Sequence, residues 1–338
     1  MKLLSVAIPC YNSEAYMAHA IESLLPGGDE IEILIVNDGS KDHTAEIADE
    51  YAKKYPGIIR AVHKENGGHG DAVMWGLNAA SGLYFRVVDS DDWVDSDVLL
   101  HLMNKLRQHM ADPEPIDLFI TDYLYDKTDA VKKHTISYQN AFPQGQAFSW
   151  AETGSLHVGQ YILMHAATYR RQLLLDSGLQ LPKHTFYVDN LYVYIPMLHV
   201  HRMMYLHETL YHYYIGREDQ SVHENVMIRR IDQQLLVNRL MVTSLDVLHI
   251  PEPHQQRYMY SYLEIITAIS SIMLILSGTP ESLNKRDQLW DFIKEQNPAL
   301  YKKLSHGLLG RAVRVRTGFG RAIAKCIYRL ADKIVGFN

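Results

Sequence analysis

Four short apolar runs, LLSVAI, EIEILIV, GIIRAV and LYFRVV, each end in a cluster of turn-forming or acidic residues. The clusters are Tyr11 and Asn12, Asn37 to Ser40, Asn66 to Gly70, and Asp89 to Asp92. Amphipathic stretches separate the runs, and a fifth run, IDLFIT, follows. That rhythm predicts an α/β fold: a mostly parallel, Rossmann-like sheet with helices on both faces. Ligands of such sheets gather at the carboxyl ends of the strands. Four strands delivering their unusual residues to one edge therefore predict a single site there.

Composition narrows the class. With 47% hydrophobic and 21% charged residues among 338, the chain has the makeup of a folded protein of about two domains, not of a disordered or low-complexity one. Cys10 and Cys326 lie far apart with no metal-type spacing, so neither a disulfide framework nor a zinc site is expected, and a reducing, cytoplasmic setting fits. The N-terminal apolar run stops at Pro9, too short for an export signal. The longest apolar stretch, Ile265 to Leu276, is shorter than the roughly 20 residues a bilayer needs and reads as a buried helix.

Residues 150 to 220 are mixed and aromatic-rich, with YVDNLYVYIPML reading as a helix and LYHYY as a strand. From Val226 the pattern is helical, over Met227 to Leu248, Gln255 to Leu276 and Glu281 to Gln296, broken by Pro251, Pro253, Gly278 and Pro280. The expected organisation is an α/β domain over 1–224, a helical domain over 225–300 and a basic amphipathic helix over 301–338.

The chemistry-bearing segments are few. DSDD, Asp89 to Asp92, ends a buried strand, where alternate carboxylates can share one hard cation, Mn²⁺ or Mg²⁺, with phosphate oxygens. Asp38 in VNDGS could offer a carboxylate to a ribose or base edge, or form an Asx turn before the helix near Thr44; the two readings are compatible. ENGGHGDA is a glycine-rich loop entering a helix, able to bring backbone amides toward a phosphate or sugar hydroxyl, with Asn66 and Gly67 at its start. It matches neither GxxxxGK[ST] nor GxGxxG, so P-loop and dinucleotide readings fail. Among 18 histidines there is no HExxH, and no histidine metal site is indicated; His157 and His165 lie in the mixed, aromatic-rich stretch, where they could hydrogen-bond hydroxyl groups.

In order and spacing, SVAIPCYNSE, VNDGSKDHT, ENGGHGDAVMWGLNAASG and VVDSDDWV resemble the inverting glycosyltransferase family 2, of bacterial polysaccharide and cell-wall type, which has the GT-A fold. The similarity continues through ATYRRQLLLDSGLQLP and YVDNLYVY to about residue 222. It implies that Pro9, Tyr11 and Asn12 border the nucleotide, that Asp38 holds its uracil or ribose end, and that Asp89 and Asp91 form the DxD pair, Asp91 the more direct metal ligand, with Ser90 among the donor contacts. The family's Glu-Asp pair before a helix corresponds to Val188 and Asp189: the Asp, a general base, is present and the Glu is not. HYYIGREDQSV resembles the segment that closes over the diphosphate, which makes His212, Arg217 and Ser221 phosphate candidates, Arg217 foremost. The QxxRW signature of processive members is absent.

The resemblance thus implies transfer of one sugar from a nucleotide-sugar donor, a UDP-sugar first among them, to a saccharide or lipid-linked acceptor. A sugar nucleotidyltransferase would carry a glycine-rich basic loop after the first strand, where this chain has PCYNSE. A degenerate sugar-nucleotide- or glycan-binding subunit is the other alternative.

The net charge of −6 is unevenly spread: residues 302–338 carry +8 and the remainder −14. Phe319, Ile323, Ile327, Leu330 and Ile334 repeat at helical spacing opposite Arg321, Lys325, Arg329 and Lys333. Residues 308–335 therefore read as a basic amphipathic helix suited to the inner face of the cell membrane, or to packing on the domain or on a second copy in a homo-oligomer. Nucleic acid is disfavoured by the acidic body and the few aromatics in the tail.

Overall fold

The computed structural model describes residues 1–127, 134–157, 159–215, 223–315 and 317–335, and contacts divide the chain into two units, Met1–Gly216 and Arg217–Asn338. In the first unit, β1 (Leu4–Cys10) and β2 (Ile31–Asp38) are buried at every position. Apolar runs without alternation behave this way when both faces of a sheet are covered. With β3 (Ile59–Lys64) and β4 (Tyr84–Val87) they form a parallel block in the order β3-β2-β1-β4. Helices α1 (Met17–Leu24), α2 (Thr44–Lys54) and α3 (His69–Ala79) connect them. Gly76 lets α3 lie close on β1, since a Cβ there would stand 2.6 Å from Cβ of Ala7.

Beyond β4 the sheet stops being parallel. The short strand β5 (Trp93–Val94) leads into α4 (Ser96–His109), whose first amides at Asp97 and Val98 donate to the Asp95 side chain. After β6 (Leu118–Lys127), β7 (His134–Ile136) and β8 (Ala147–Ser149), strand β9 (Ala167–Arg170) inserts antiparallel between β4 and β6. The expectation of a mostly parallel sheet is corrected at this point: four residues are too few to show strand alternation, so ATYR carried no strand signal. Helices α5 (Arg171–Asp176) and α6 (Asp189–Met197) precede the 14-residue strand β10 (Arg202–Ile215), which runs parallel to β6 and antiparallel to β5 and β8. The architecture is α/β with a mixed ten-stranded sheet.

The second unit is helical over its described residues: α7 (Glu224–Arg229), α8 (Ile231–Ser244), α9 (Pro253–Ser277), α10 (Pro280–Gln296), α11 (Pro298–His306), α12 (Leu308–Val313) and α13 (Gly318–Val335). By length and composition α9 could cross a membrane, yet 67% of its apolar window is buried inside the protein, as expected of a core helix. Polar atoms within it are satisfied locally: Asn238 Nδ2 donates to Thr267 Oγ1, and the Ser270 and Ser271 hydroxyls donate to carbonyls one turn earlier.

Candidate active site

The carboxyl ends of the four parallel strands meet three loops, and the side chains there are tied across the strands. Asn12, in the left-handed region at φ 51°, accepts from the Lys41 amide through Oδ1 (2.9 Å), and its own amide donates to Ser40 Oγ (3.0 Å). Ser13 Oγ meets Ser90 Oγ at 2.9 Å, joining the first loop to the DSDD turn. Tyr11 is exposed beside them, and Pro9 is buried inside β1.

Asp38 anchors the glycine-rich loop at the end of β2. Its carboxylate accepts the amides of Gly67 (2.8 Å) and Gly68 (2.7 Å) and the Asn66 side-chain amide (3.2 Å), and it pairs with Lys64. Only 3% of its side chain is exposed. The glycine-rich loop thus turns the Gly67 and Gly68 amides and the Asn66 side-chain amide onto Asp38. Gly68 sits at φ +85°, and a Cβ on it would lie 2.9 Å from the His184 amide. That close approach lets His184 N donate to the Gly67 carbonyl (2.7 Å), tying the loop ahead of α6 to the glycine-rich loop.

The DSDD turn supplies the charge. Asp92 is buried: its oxygens accept from Tyr211 OH (2.6 Å) and the Tyr214 amide (2.8 Å), both on β10. Burial, with the neighbouring Asp91 and Asp89 charges, pushes its carboxyl well above the usual range. Asp89 receives His69 Nε2 at 2.8 Å, and His165 Nε2 stands 3.8 Å from its other oxygen. Burial works against the Asp89 carboxylate, and the two imidazoles outweigh it and hold it below the usual range. Asp91 is half-buried in the same turn, and its charge reaches His69. Asp189 opens α6, and burial, aided by the Asp89 charge and opposed by His69, pushes it up to about 6. Val188 beside it is a buried apolar residue whose Cγ2 would lie 3.1 Å from a Cβ at Gly70, so it packs the loop onto α3.

Asp89, Asp92 and His165 bring donor atoms within 4.8 Å of one another, a set whose carboxylates and imidazole suit a divalent cation. His165, one of two histidines the sequence reading leaves as possible partners of hydroxyl groups, stands in this carboxylate cluster. Sequence reading also passed over His69, although it stands inside the ENGGHGDA motif, and Arg86, a cation buried in β4. His212 stacks on Trp93 (5.3 Å) and approaches Asp126 (3.4 Å). Arg217 and Ser221 lie outside the described residues.

Residues 5–164 match the model of the family described as Glycosyl transferase family 2. An uncharacterized glycosyltransferase of Bacillus subtilis, EpsJ, is 40% identical over 111 residues, 32% of this chain and 32% of that protein. The putative glycosyltransferase EpsH of the same organism is 25% identical over 306 residues, 84% of this chain and 79% of its own. The chain thus spans about a third of the first relative's length and most of the second's. Among solved structures, residues 1–349 of S. aureus TarS superpose with a TM-score of 0.68 at 19% identity, over 98% of this chain and 92% of that one, and the same fragment has been solved with UDP-GlcNAc. The likeness establishes the GT-A fold.

Proposed function

With a family 2 glycosyl transferase domain over residues 5–164 as premise, we propose that the chain moves one sugar from a nucleotide-sugar donor, a UDP-sugar, to a hydroxyl of a glycan, lipid-linked saccharide or wall polymer, inverting the anomeric carbon. One observation carries this reading: a carboxylate at the start of α6, held by burial at about 6, beside a cluster of acidic residues at the strand ends. A base with a pKa near the working pH combines a large ionised fraction with real proton affinity. Asp189 accepts the acceptor's hydroxyl proton while that oxygen forms its bond to the anomeric carbon. The bond to the diphosphate breaks on the opposite face and its electron pair leaves with the diphosphate, so configuration inverts in one displacement. Asp89 and Asp91 are the groups that would hold Mn²⁺ or Mg²⁺, which when bound would neutralise charge on the departing diphosphate. Tyr11, Asn12 and Ser90 border the donor, with Arg217 a further phosphate contact. UDP-GlcNAc in the TarS fragment supports a uridine nucleotide.

The test is turnover of a panel of UDP-, GDP- and dTDP-sugars with Mn²⁺ or Mg²⁺, by the intact chain and by Asp91→Ala. Cation-dependent release of one nucleotide, reduced at least about a hundredfold by the substitution, is expected. If no donor binds or turns over with either cation, the chain is a binding subunit and the proposal fails.

We further read α13 as the attachment to an anionic membrane surface on the cytoplasmic side. Ala324 is buried and Lys325 Nζ donates to the Leu276 carbonyl (3.2 Å) near the end of α9, so this side of the helix is docked on its own unit. Phe319 and Ile323 remain 80% and 46% exposed. These two open apolar side chains, within a tail carrying +8, fit phosphatidylglycerol headgroups. The protein should float with phosphatidylglycerol vesicles and not with pure phosphatidylcholine, and Phe319→Ser with Ile323→Ser should abolish flotation. Flotation unchanged in that double variant would leave the two side chains without this role.

A further inference from the structure

His165 is buried in an arrangement that its surroundings do not satisfy. Nine-tenths of its side chain is out of solvent, and Nδ1 has no hydrogen-bond partner. Nε2 points at Asp89 Oδ2 from 3.8 Å, beyond hydrogen-bonding distance. With the proton on Nδ1, the Nε2 lone pair faces a carboxylate and neither group has a donor between them. A cation in that gap would serve both. Asp92 closes the set: Tyr211 OH and the Tyr214 amide occupy one site on each of its oxygens, and a carboxylate has about four lone-pair sites, so it can still bind a metal.

The ring is also held firmly in place. Arg86, almost fully buried, donates from its guanidinium to the His165 carbonyl and to Thr168 Oγ1 (2.8 Å), fixing the backbone of the short 3₁₀ turn. The imidazole stacks on Tyr213 (4.6 Å between centroids, 23° between planes) and meets the edge of Tyr211 at 4.7 Å. Tyr211 is the residue whose hydroxyl holds Asp92, so one aromatic side chain sets both ligands. Arg86, Tyr211 and Tyr213 thus fix the ring through its backbone and its faces, in place of the Nδ1–H partner that orients most metal-bound imidazoles.

We propose that His165 is a metal ligand of this site, completing Asp89 and Asp92, and that its imidazole makes the site select Mn²⁺ or a similar transition cation over Mg²⁺. Mg²⁺ favours oxygen ligands and retains its waters; Mn²⁺ shares the preference for carboxylates but, as a transition cation, also accepts an imidazole nitrogen, and Co²⁺ accepts it more strongly. The inference rests on reading the cluster as the metal centre of a nucleotide-sugar transferase, and it is tested by binding and not by turnover.

The full-length protein is titrated with Mn²⁺, followed by loss of the free-ion electron paramagnetic resonance signal, and with Co²⁺, followed by its visible absorption, both with and without UDP. Mg²⁺ is added as competitor. Intact protein should prefer Mn²⁺ over Mg²⁺ by about tenfold or more. His165→Ala should lose about tenfold or more in Mn²⁺ affinity and the nitrogen-dependent Co²⁺ band, while Mg²⁺ affinity stays unchanged. His165→Gln keeps an oxygen donor of similar reach and covers the case in which the alanine variant fails to fold; it should move preference back toward Mg²⁺. His249→Ala, an exposed histidine to which no role in the site is assigned, should behave as the parent. Equal Mn²⁺ affinity in folded His165 variants overturns the inference even if metal-dependent transfer persists. Mn²⁺ binding that depends on His165 without turnover of any donor would support the inference and remove the transferase reading.

Discussion

Replacing Asp189 with Asn should lower turnover by about 10² to 10⁴, the usual contribution of a positioned general base, while leaving UDP affinity within about twofold of the parent. The amide has the same shape and cannot take the acceptor's proton. In the parent, turnover should fall as pH drops through about 6, because the carboxylate must be ionised to act. The same residue predicts a stability effect of opposite sign. Its pKa is raised on folding, so the fold favours the neutral acid, and ionisation costs stability at pH values above about 6. That cost fades as pH falls from 6 toward 4, where the unfolded chain also becomes protonated. With divalent cations chelated, Asp189→Asn should therefore be more stable than the parent by about 1 to 3 kcal/mol at pH 7.5 and indistinguishable from it at pH 4. Urea unfolding at the two pH values, alongside single-turnover rates, checks both halves. Turnover within tenfold of the parent would remove Asp189 from the reaction.

Those expectations were readable from the sequence only in part, and the division follows the range of the interactions. The four strand-end clusters are local: an apolar run, then a turn, each within about ten residues, so their arrival at one sheet edge follows from a parallel block. The same locality exposed α6 and the start of the helical region. His165 is a different case. It reaches Asp89 because β9 inserts antiparallel beside β4, a pairing across more than 70 residues made by a strand of four, and neither alternation nor turn chemistry announces it. Arg86 was invisible for a related reason. An arginine within YFRV reads as a residue on a solvated face, and only the fold shows that it is enclosed and bonded to the His165 carbonyl. Asp38 shows the converse limit, since its motif and position were recognised while the direction of its carboxylate depends on Lys64 and on the path of the glycine-rich loop.

That dependence gives the second large effect. Lys64, at the end of β3, has 3% of its side chain exposed and lies between two carboxylates, pairing with Asp38 and with Asp71 Oδ2 at 2.8 Å. Burial alone would favour its neutral form, and the two acids overcome this and hold it above its ordinary value. Lys64→Met would leave Asp38 and Asp71 buried without their shared cation. Removing one partner from a buried ion pair costs about 3 to 5 kcal/mol, more than truncating a surface bridge by several fold. The damage should be local as well as global, because Asp38 holds the Gly67 and Gly68 amides and Gly67 in turn holds His184, five residues before Asp189. Asp38→Asn should accordingly destabilise the fold by about 1 to 3 kcal/mol, and combined with Lys64→Met the two losses should be less than additive, since each removes the same contact. Denaturant midpoints of the two single variants and the double variant measure this coupling directly. If Asp38→Asn instead left stability intact and raised the Michaelis constant for the donor, its carboxylate would belong to the nucleotide and the glycine-rich loop would have to open toward the phosphate during binding.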